Sequence, residues 1–166
     1  METLENIRVE TGIKIGLIKG EEREQVSPST HALPKIAMVA SPDEYITSSG
    51  TRVKVEDIDI LSRYISMGSL HRAQAVSGAM ALAAAANIPG TIPNQVISHT
   101  ESTVRIGHPS GRLFVDATIE KDGSDWRVNR AANGRTARRL MEGYAYVPIS
   151  VLQKVKGSLL MKLSGC

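Results

Sequence analysis

From Ser69 to Asn87 the chain carries alanine at positions 73, 75, 79, 81 and 83–86, with hardly a charge after Arg72. A helix that is apolar on every side is a buried helix. Small side chains all round let neighbouring backbone approach closely, which predicts a central helix inside a sheet folded around it. Ile88-Pro-Gly-Thr-Ile-Pro93 ends it, with Pro89 and Gly90 as stop signals. The remaining core has to be aliphatic, because aromatic residues make up only 4% of the chain, with one Phe and one Trp.

Around this helix the pattern is mixed. Leu4 and Ile7 predict a helix to about Glu10, and the alternation through Ile13, Ile15, Leu17 and Ile18 predicts a strand over 13–18. Lys19–Leu33 is polar and aperiodic, a loop long enough to be functional or disordered. Lys35–Ala40 reads as a buried strand ended by Ser41-Pro42, and Thr47-Ser-Ser-Gly50 as a turn. Ile58, Leu61 and Ile65 have helical spacing, which predicts a helix over 55–67 with Glu56 and Asp57 in its first turn. Gly68 interrupts that helix, and the alanine-rich one starts at Ser69. Thr103–Gly107, Arg112–Glu120, Trp126–Asn129 and Tyr144–Val147 read as strands, with Lys121-Asp-Gly-Ser124 as a hairpin turn. Ala131–Leu140 is a basic connection or a strand, and Val151–Leu163 returns to a helical or arm-like pattern. At 166 residues the chain is one domain over 1–150 with a C-terminal arm over 151–166.

Several function classes drop out. The formal charge of +3 is too small to argue for nucleic acid by itself. Arg130, Arg135, Arg138 and Arg139 form a basic run, but no aromatic platform accompanies them, which favours a solvated face. The histidines at 31, 71, 99 and 108 have no ligand spacing, and Cys166 stands alone, so neither a metal site nor a disulfide is expected. Ala79–Ala86 falls far short of the roughly 20 residues of a membrane span. The acidic N-terminus shows no secretion signal, and the chain is expected in the cytoplasm. No dinucleotide or Walker motif occurs. Ser, His and Asp are all present, yet no nucleophile elbow is visible.

Two segments stand out as candidate sites. In Arg105-Ile-Gly-His-Pro-Ser-Gly111 one strand runs in and another leaves. Glycines flanking a His and a Ser allow a sharp turn that presents N–H groups to an anion. A tight hairpin with an incidental surface His is the equally weighted alternative. In Ser66-Met-Gly-Ser-Leu-His-Arg72 the predicted helix start would leave the N–H groups of Gly68, Ser69 and Leu70 open to an anion. Ser66 or Ser69 capping that helix is the alternative. His71 and Arg72 are cations in a first turn, a conflict that an anion would resolve. Thr47-Ser-Ser-Gly50 is small, polar and adaptable, with a plain surface turn as the more economical reading.

Taken in order, these segments resemble a known family. Lys35-Ile-Ala-Met-Val-Ala40 with Ser48-Ser-Gly50, Leu61-Ser-Arg-Tyr-Ile-Ser-Met-Gly68 with His71, Ala84-Ala-Ala-Asn-Ile-Pro-Gly-Thr91, Val104-Arg-Ile-Gly-His-Pro-Ser-Gly111 and Ala137-Arg-Arg-Leu-Met-Glu-Gly143 are similar to the C-terminal part of the PrpF family. That family holds the methylaconitate and methylitaconate isomerases, 4-oxalomesaconate tautomerase and aconitate isomerase. The resemblance runs from about Ile7 to Val147. It implies an α+β, diaminopimelate-epimerase-like lobe, a mostly antiparallel sheet wrapped around the alanine-rich helix, with the active site in the cleft between two lobes. It implies an isomerase that shifts a C=C bond in an unsaturated di- or tricarboxylic acid, without a cofactor.

The substrate-anchoring roles that it implies fall to Ser48, Ser49 and Gly50, to Met67, Gly68, Ser69 and His71, and to His108, Ser110 and Gly111. His108 and His71 are also candidates to carry charge or protons. The resemblance covers one lobe, so it implies that the principal acid and base groups, a lysine and a cysteine among them, belong to an N-terminal lobe. Cys166 matches no catalytic position, and Ser69 stands where relatives often have lysine. The partner is then a small polycarboxylate, with a second copy or a separate N-terminal lobe completing the cleft. The competing expectation is a domain that kept its anion cradle, or an interaction role, and lost catalysis.

Overall fold

The computed structural model describes residues 1–26, 33–99, 101–135, 137–144 and 146–151. It divides at Gly134 into two units, 1–134 and 135–166. The first unit contains α1 (Glu2–Lys14), a 3-10 turn (Gly20–Gln25), β1 (Ile36–Ala40), β2 (Tyr45–Ile46) and β3 (Arg52–Val53). There follow a 3-10 turn (Val55–Asp57), β4 (Ile60–Ser66), β5 (Ser69–Leu70), α2 (Val76–Ala86), α3 (Ile92–Val96), β6 (Thr103–His108), β7 (Gly111–Asp122) and β8 (Asp125–Ala132).

The main sheet has the order β1-β4-β6-β7-β8, with β5 on the end of β4, and β2 and β3 form a separate ribbon. β4 and β6 run parallel, Ile60 beside Ile106 and Leu61 beside Gly107, while the other pairings are antiparallel. A parallel pair needs a crossover, and α2 lies on it. Ala79, Leu82 and Ala83, one helical stripe, pack on Ile60, Val104, Ile106, Val115 and Ala117. A Cβ added at Gly78 would stand 2.4 Å from Tyr64 Cε2, so helix and strand approach closely, as the alanine content predicts. The fold is mixed α+β with a curled, antiparallel-rich sheet, in line with the sequence.

The helix is not enclosed on every side. Ser77 and Ala81 are exposed. Gly78, Ala81 and Leu82 face Ala37 and Val39 of β1 across an apolar groove of about 320 Å³. Its small residues therefore serve one close face, and the other stays open among the described residues.

Other expectations need correction. No strand forms over 13–18. α1 continues to Lys14, Gly16 turns the chain at φ 74°, and the N–H groups of Leu17 and Ile18 bond back to Gly12 O. Ile15 and Leu17 are exposed, so the alternation there marks no buried face. The helix predicted over 55–67 is a 3-10 turn followed by β4. β4 alternates in burial from Ile60 to Tyr64, but its period of two is hidden in the sequence because polar Ser62 is buried on one face while Leu61 and Ile65 are apolar on the other.

The alanine-rich helix starts at Val76, not Ser69. Ser69 and Leu70 pair back onto β4, and Met67 and Gly68, at φ 51° and 73°, form the tip of a two-residue hairpin. Positive φ at both positions is the type I′ signature. Beyond α2, Thr91 caps α3, accepting from Asn94 N–H at 3.3 Å, an element the sequence reading missed although Pro93 in its first turn is a start signal.

In the second unit no strand occurs at 144 or 146–147 among the described residues, and 137–144 carries no regular element. The basic run ends in an exposed pair, Arg139 with Glu142. Apart from Val151, the arm over 151–166 lies outside the described residues, as do His31 and Cys166.

Candidate functional site

The Gly-His-Pro-Ser-Gly segment is the hairpin between β6 and β7. His108 pairs with Gly111 across Pro109 and Ser110, and Gly111 sits at φ 142°, which a Cβ would oppose. Three other segments converge on this turn. From β2, the Tyr45 hydroxyl points at two carbonyls, His108 O at 3.0 Å and Gly111 O at 2.5 Å. From the loop after β2, Ser48 N–H donates to Pro109 O at 2.7 Å and Ser48 Oγ lies 3.4 Å from Ser110 Oγ. From the loop before α2, Arg72 O accepts the Ser110 hydroxyl.

The Thr47–Thr51 loop closes on itself. Thr47 N–H bonds to Thr51 O at 2.8 Å, Thr51 N–H to Thr47 Oγ1 at 2.9 Å, and Gly50 N–H to Thr47 O at 2.9 Å, with Gly50 at φ 82°. Thr47 is the buried centre of this loop. The expected cradle of backbone donors is thereby altered. The N–H groups of Ser48, Gly50 and Ser110 are engaged in building the turn, Ser110 N–H donating to His108 Nδ1 at 3.2 Å. What the corner offers a ligand is hydroxyls and cations, namely Ser48, Ser49 and Ser110 with Arg63 and Arg72 beside them.

His108 is 8% exposed. Burial holds its pKa below the usual histidine value, helped by the positive charges of Arg63 and His71. A neutral ring whose Nδ1 accepts a hydrogen bond carries its proton on Nε2, so His108 is a donor there at neutral pH. Burial likewise raises the pKa of Tyr45, which stays protonated. His71 lies in the loop before α2, where Nδ1 accepts Ala73 N–H at 3.0 Å and the ring meets Tyr64 edge-on at 6.0 Å. It is not in the first turn of a helix, and neither is Arg72.

Met67, Gly68 and Ser69 are not brought to this corner. Extending the β4–β6 register sets Ser62 beside His108, and five strand residues from there to Met67 span roughly 16 Å. Gly68 instead lines a cavity of about 230 Å³ with Met1, Glu2, Glu5 and Ile65. Among the described residues no cluster of three or more His, Cys, Asp or Glu side chains is placed to hold a metal.

The sequence reading passed over four residues that this region depends on. Tyr45 ties the turn to β2. Asp59, 1% exposed, holds β4 to β6 through Arg105. Its signal was present, since an acid between Ile58 and Ile60 sits in an apolar run and demands a partner. Ser62 donates to Gln74 Oε1 at 3.0 Å in the buried space behind the loop. Nothing local distinguished Gln74.

Fold and corner together define a class: a curled-sheet α+β lobe carrying a tightly bonded, serine-bearing turn between β6 and β7. The comparisons identify which. Residues 1–148 match the family model described as PrpF protein, and the chain belongs to the PrpF family. It is 43% identical over 145 residues to a 2-methyl-aconitate isomerase of Shewanella oneidensis, covering 87% of this chain and 36% of that protein. It is 44% identical over 147 residues to a 3-methylitaconate isomerase of Eubacterium barkeri, covering 87% and 37%. A solved structure of methylitaconate-delta-isomerase superposes with a TM-score of 0.74 at 42% identity, over 90% of this chain and 38% of that one. The chain thus spans little more than a third of the length of the relatives it matches.

Proposed function

We propose that this chain forms part of an isomerase that moves a C=C bond within an unsaturated di- or tricarboxylic acid of the methylaconitate, methylitaconate, aconitate or 4-oxalomesaconate type. The observation that carries the reading is the 42% identity and matching fold shared with methylitaconate-delta-isomerase over 90% of the chain. In this reading the side chains of Ser48, Ser49, His108 and Ser110 anchor substrate carboxylates, Gly50 and Gly111 shape the turns that present them, and His71 stands behind. The Met67-Gly68-Ser69 tip stands apart, Gly68 lining a cavity with Met1, Glu2, Glu5 and Ile65.

The chemistry conserves electrons. An allylic C–H bond next to a carboxylate breaks, its electron pair becomes the new π bond, and the old π pair takes up a proton at the far carbon. Donors fixed around the carboxylate stabilise the dienolate between the two steps. The Ser48 and Ser49 hydroxyls supply such donors, and His108, whose ring also bonds to the Arg112 backbone, holds the turn in place. The groups that remove and return the proton belong to the companion lobe, and no cofactor is invoked. The substrate is a soluble metabolite, which fits a cytoplasmic setting, and a second lobe completes the cleft.

The test is ultraviolet detection of the double-bond shift, with the chain alone and with a companion chain covering the length of the relatives that it does not span. Turnover only in the mixture is expected. Robust turnover by the chain alone refutes the half-site, and none in any combination refutes the isomerase reading. The alternative reading is an anion-binding or interaction domain without catalysis. Calorimetric binding of a tricarboxylate with no turnover in any mixture selects it.

A further inference from the structure

Nine arginines lie within residues 1–134. Seven have a carboxylate oxygen within 3.6 Å, from Arg8 with Glu5 to Arg130 with Asp116. The two that have none among the described residues are Arg63 and Arg72, and both adjoin the His108–Gly111 turn. Arg63 leaves β4 half-buried, donates from Nη1 to Ser62 O at 2.9 Å, and stands 5.2 Å from the centre of the Tyr45 ring. That ring's hydroxyl holds the turn. Arg72 is exposed, and its carbonyl accepts the Ser110 hydroxyl.

A guanidinium has five N–H donors in a planar fork that matches a carboxylate. Half-burying one without a counter-ion forfeits hydration that a single bond to Ser62 O and the face of the Tyr45 ring return only in part. Within residues 1–134 the other arginines are neutralised, including Arg112 on the strand leaving the turn, by Asp57. Two unneutralised forks at one turn therefore mark where an anion with more than one charge belongs.

We propose that Arg63 and Arg72 are the charge-bearing carboxylate ligands of this corner, each taking one carboxylate of the same molecule. The site then selects di- and tricarboxylates over monocarboxylates. The inference rests on reading the corner as a carboxylate site, as proposed above, and names the residues that set its charge preference. The serine hydroxyls complete the hydrogen bonding and supply no charge. Because His108 is held neutral by burial and by Arg63, the positive charge does not depend on an imidazole that titrates near pH 6.5.

Two measurements on the whole chain test this, with propane-1,2,3-tricarboxylate as a non-isomerising probe. Phenylglyoxal modification, mapped by mass spectrometry, is expected to label Arg63 and Arg72, and the probe to slow both while leaving Arg127 unchanged. In titrations, Arg63→Lys and Arg72→Lys are each expected to weaken the probe about 10-fold or more, the size of a lost charge-assisted bidentate contact, and butyrate to bind far more weakly than the probe. If the probe binds the unsubstituted chain but neither arginine is protected and neither variant loses affinity, this inference falls while the carboxylate site stands. An Arg63 that does not label in the free chain also overturns its part. If the unsubstituted chain binds no polycarboxylate, both the site and the inference fail. The labelling arm needs no variant, so a poorly folding Arg63→Lys does not leave the question open.

Discussion

Asp59→Ala measures how much the buried charge at the β4–β6 junction contributes. The carboxylate accepts the Arg105 backbone N–H at 2.7 Å, Nε at 3.0 Å and Nη2 at 2.6 Å, and His99 Nε2 stands 3.3 Å away. Its removal strands the Arg105 N–H, a loss of about 1–3 kcal/mol for an unsatisfied buried donor. The guanidinium suffers less, because it is 32% exposed and still donates to Glu56 O at 2.6 Å. Water recovers part of its interaction, which brings its share to about 1 kcal/mol. The sum is about 2–4 kcal/mol.

Arg105→Ala does the reverse. It leaves the carboxylate buried with a backbone N–H and His99 as its remaining partners, and breaking a buried pair from that side costs about 3–5 kcal/mol. The structure therefore predicts an asymmetry, with Arg105→Ala the more damaging, and a double variant little worse than Arg105→Ala alone because the two effects are not additive. Urea unfolding followed by Trp126 fluorescence and circular dichroism measures it, as shifts in midpoint at constant slope. A loss under about 0.5 kcal/mol for Asp59→Ala, or the opposite order of the two variants, would refute the reasoning.

Two further predictions concern the corner. Burial lowers the His108 pKa below the ordinary histidine value of about 6.5, so as pH falls the unfolded chain takes up the proton first. Its contribution to stability is full above about pH 6.5 and lost as pH falls through that value toward the folded pKa. Urea stability measured from pH 8 to pH 5 should decline less steeply in His108→Gln, and parallel curves for the two proteins would remove the claim. Gly107→Ala would set a methyl 2.8 Å from Ile58 Cδ1, 3.1 Å from Leu61 Cδ2 and 3.2 Å from Tyr45 Cε1. Overpacking of about 1–3 kcal/mol is expected, and because Tyr45 must shift, polycarboxylate affinity should fall with it. Unchanged melting and titration together would show that the ring is free to move.

Local signals served well where the physics is local. The β6–β7 and β7–β8 hairpins and the helix stop at Pro89-Gly90 were legible, because turn residues act within a few positions; β1 was legible as a strand but not as a buried one, since it is the edge of the sheet with Ala37, Met38 and Ala40 exposed. The spacing of Ile58, Leu61 and Ile65 misled, because polar Ser62 is buried on one face of β4 while Leu61 and Ile65 are apolar on the other, which hides the period of two. Ser69 misled for a related reason. The residues before an alanine-rich stretch look like its first turn, yet Met67 and Gly68 had already reversed the chain.

The alanine content by itself determined that something packs close against α2, and the order of the motifs determined the family. Which side of the helix is covered, and which loops meet, was decided only in three dimensions. Tyr45 and Gly111 are 66 positions apart, as the hydroxyl bond between them records, and no residue near either one announces the other. The parallel β4–β6 pairing sets Ser62 toward His108 and carries Met67 away from it, so two loops that look equivalent in sequence part company. Sheet register is a long-range property, and a candidate site assembled from four strands and loops inherits its geometry from that register rather than from any one segment.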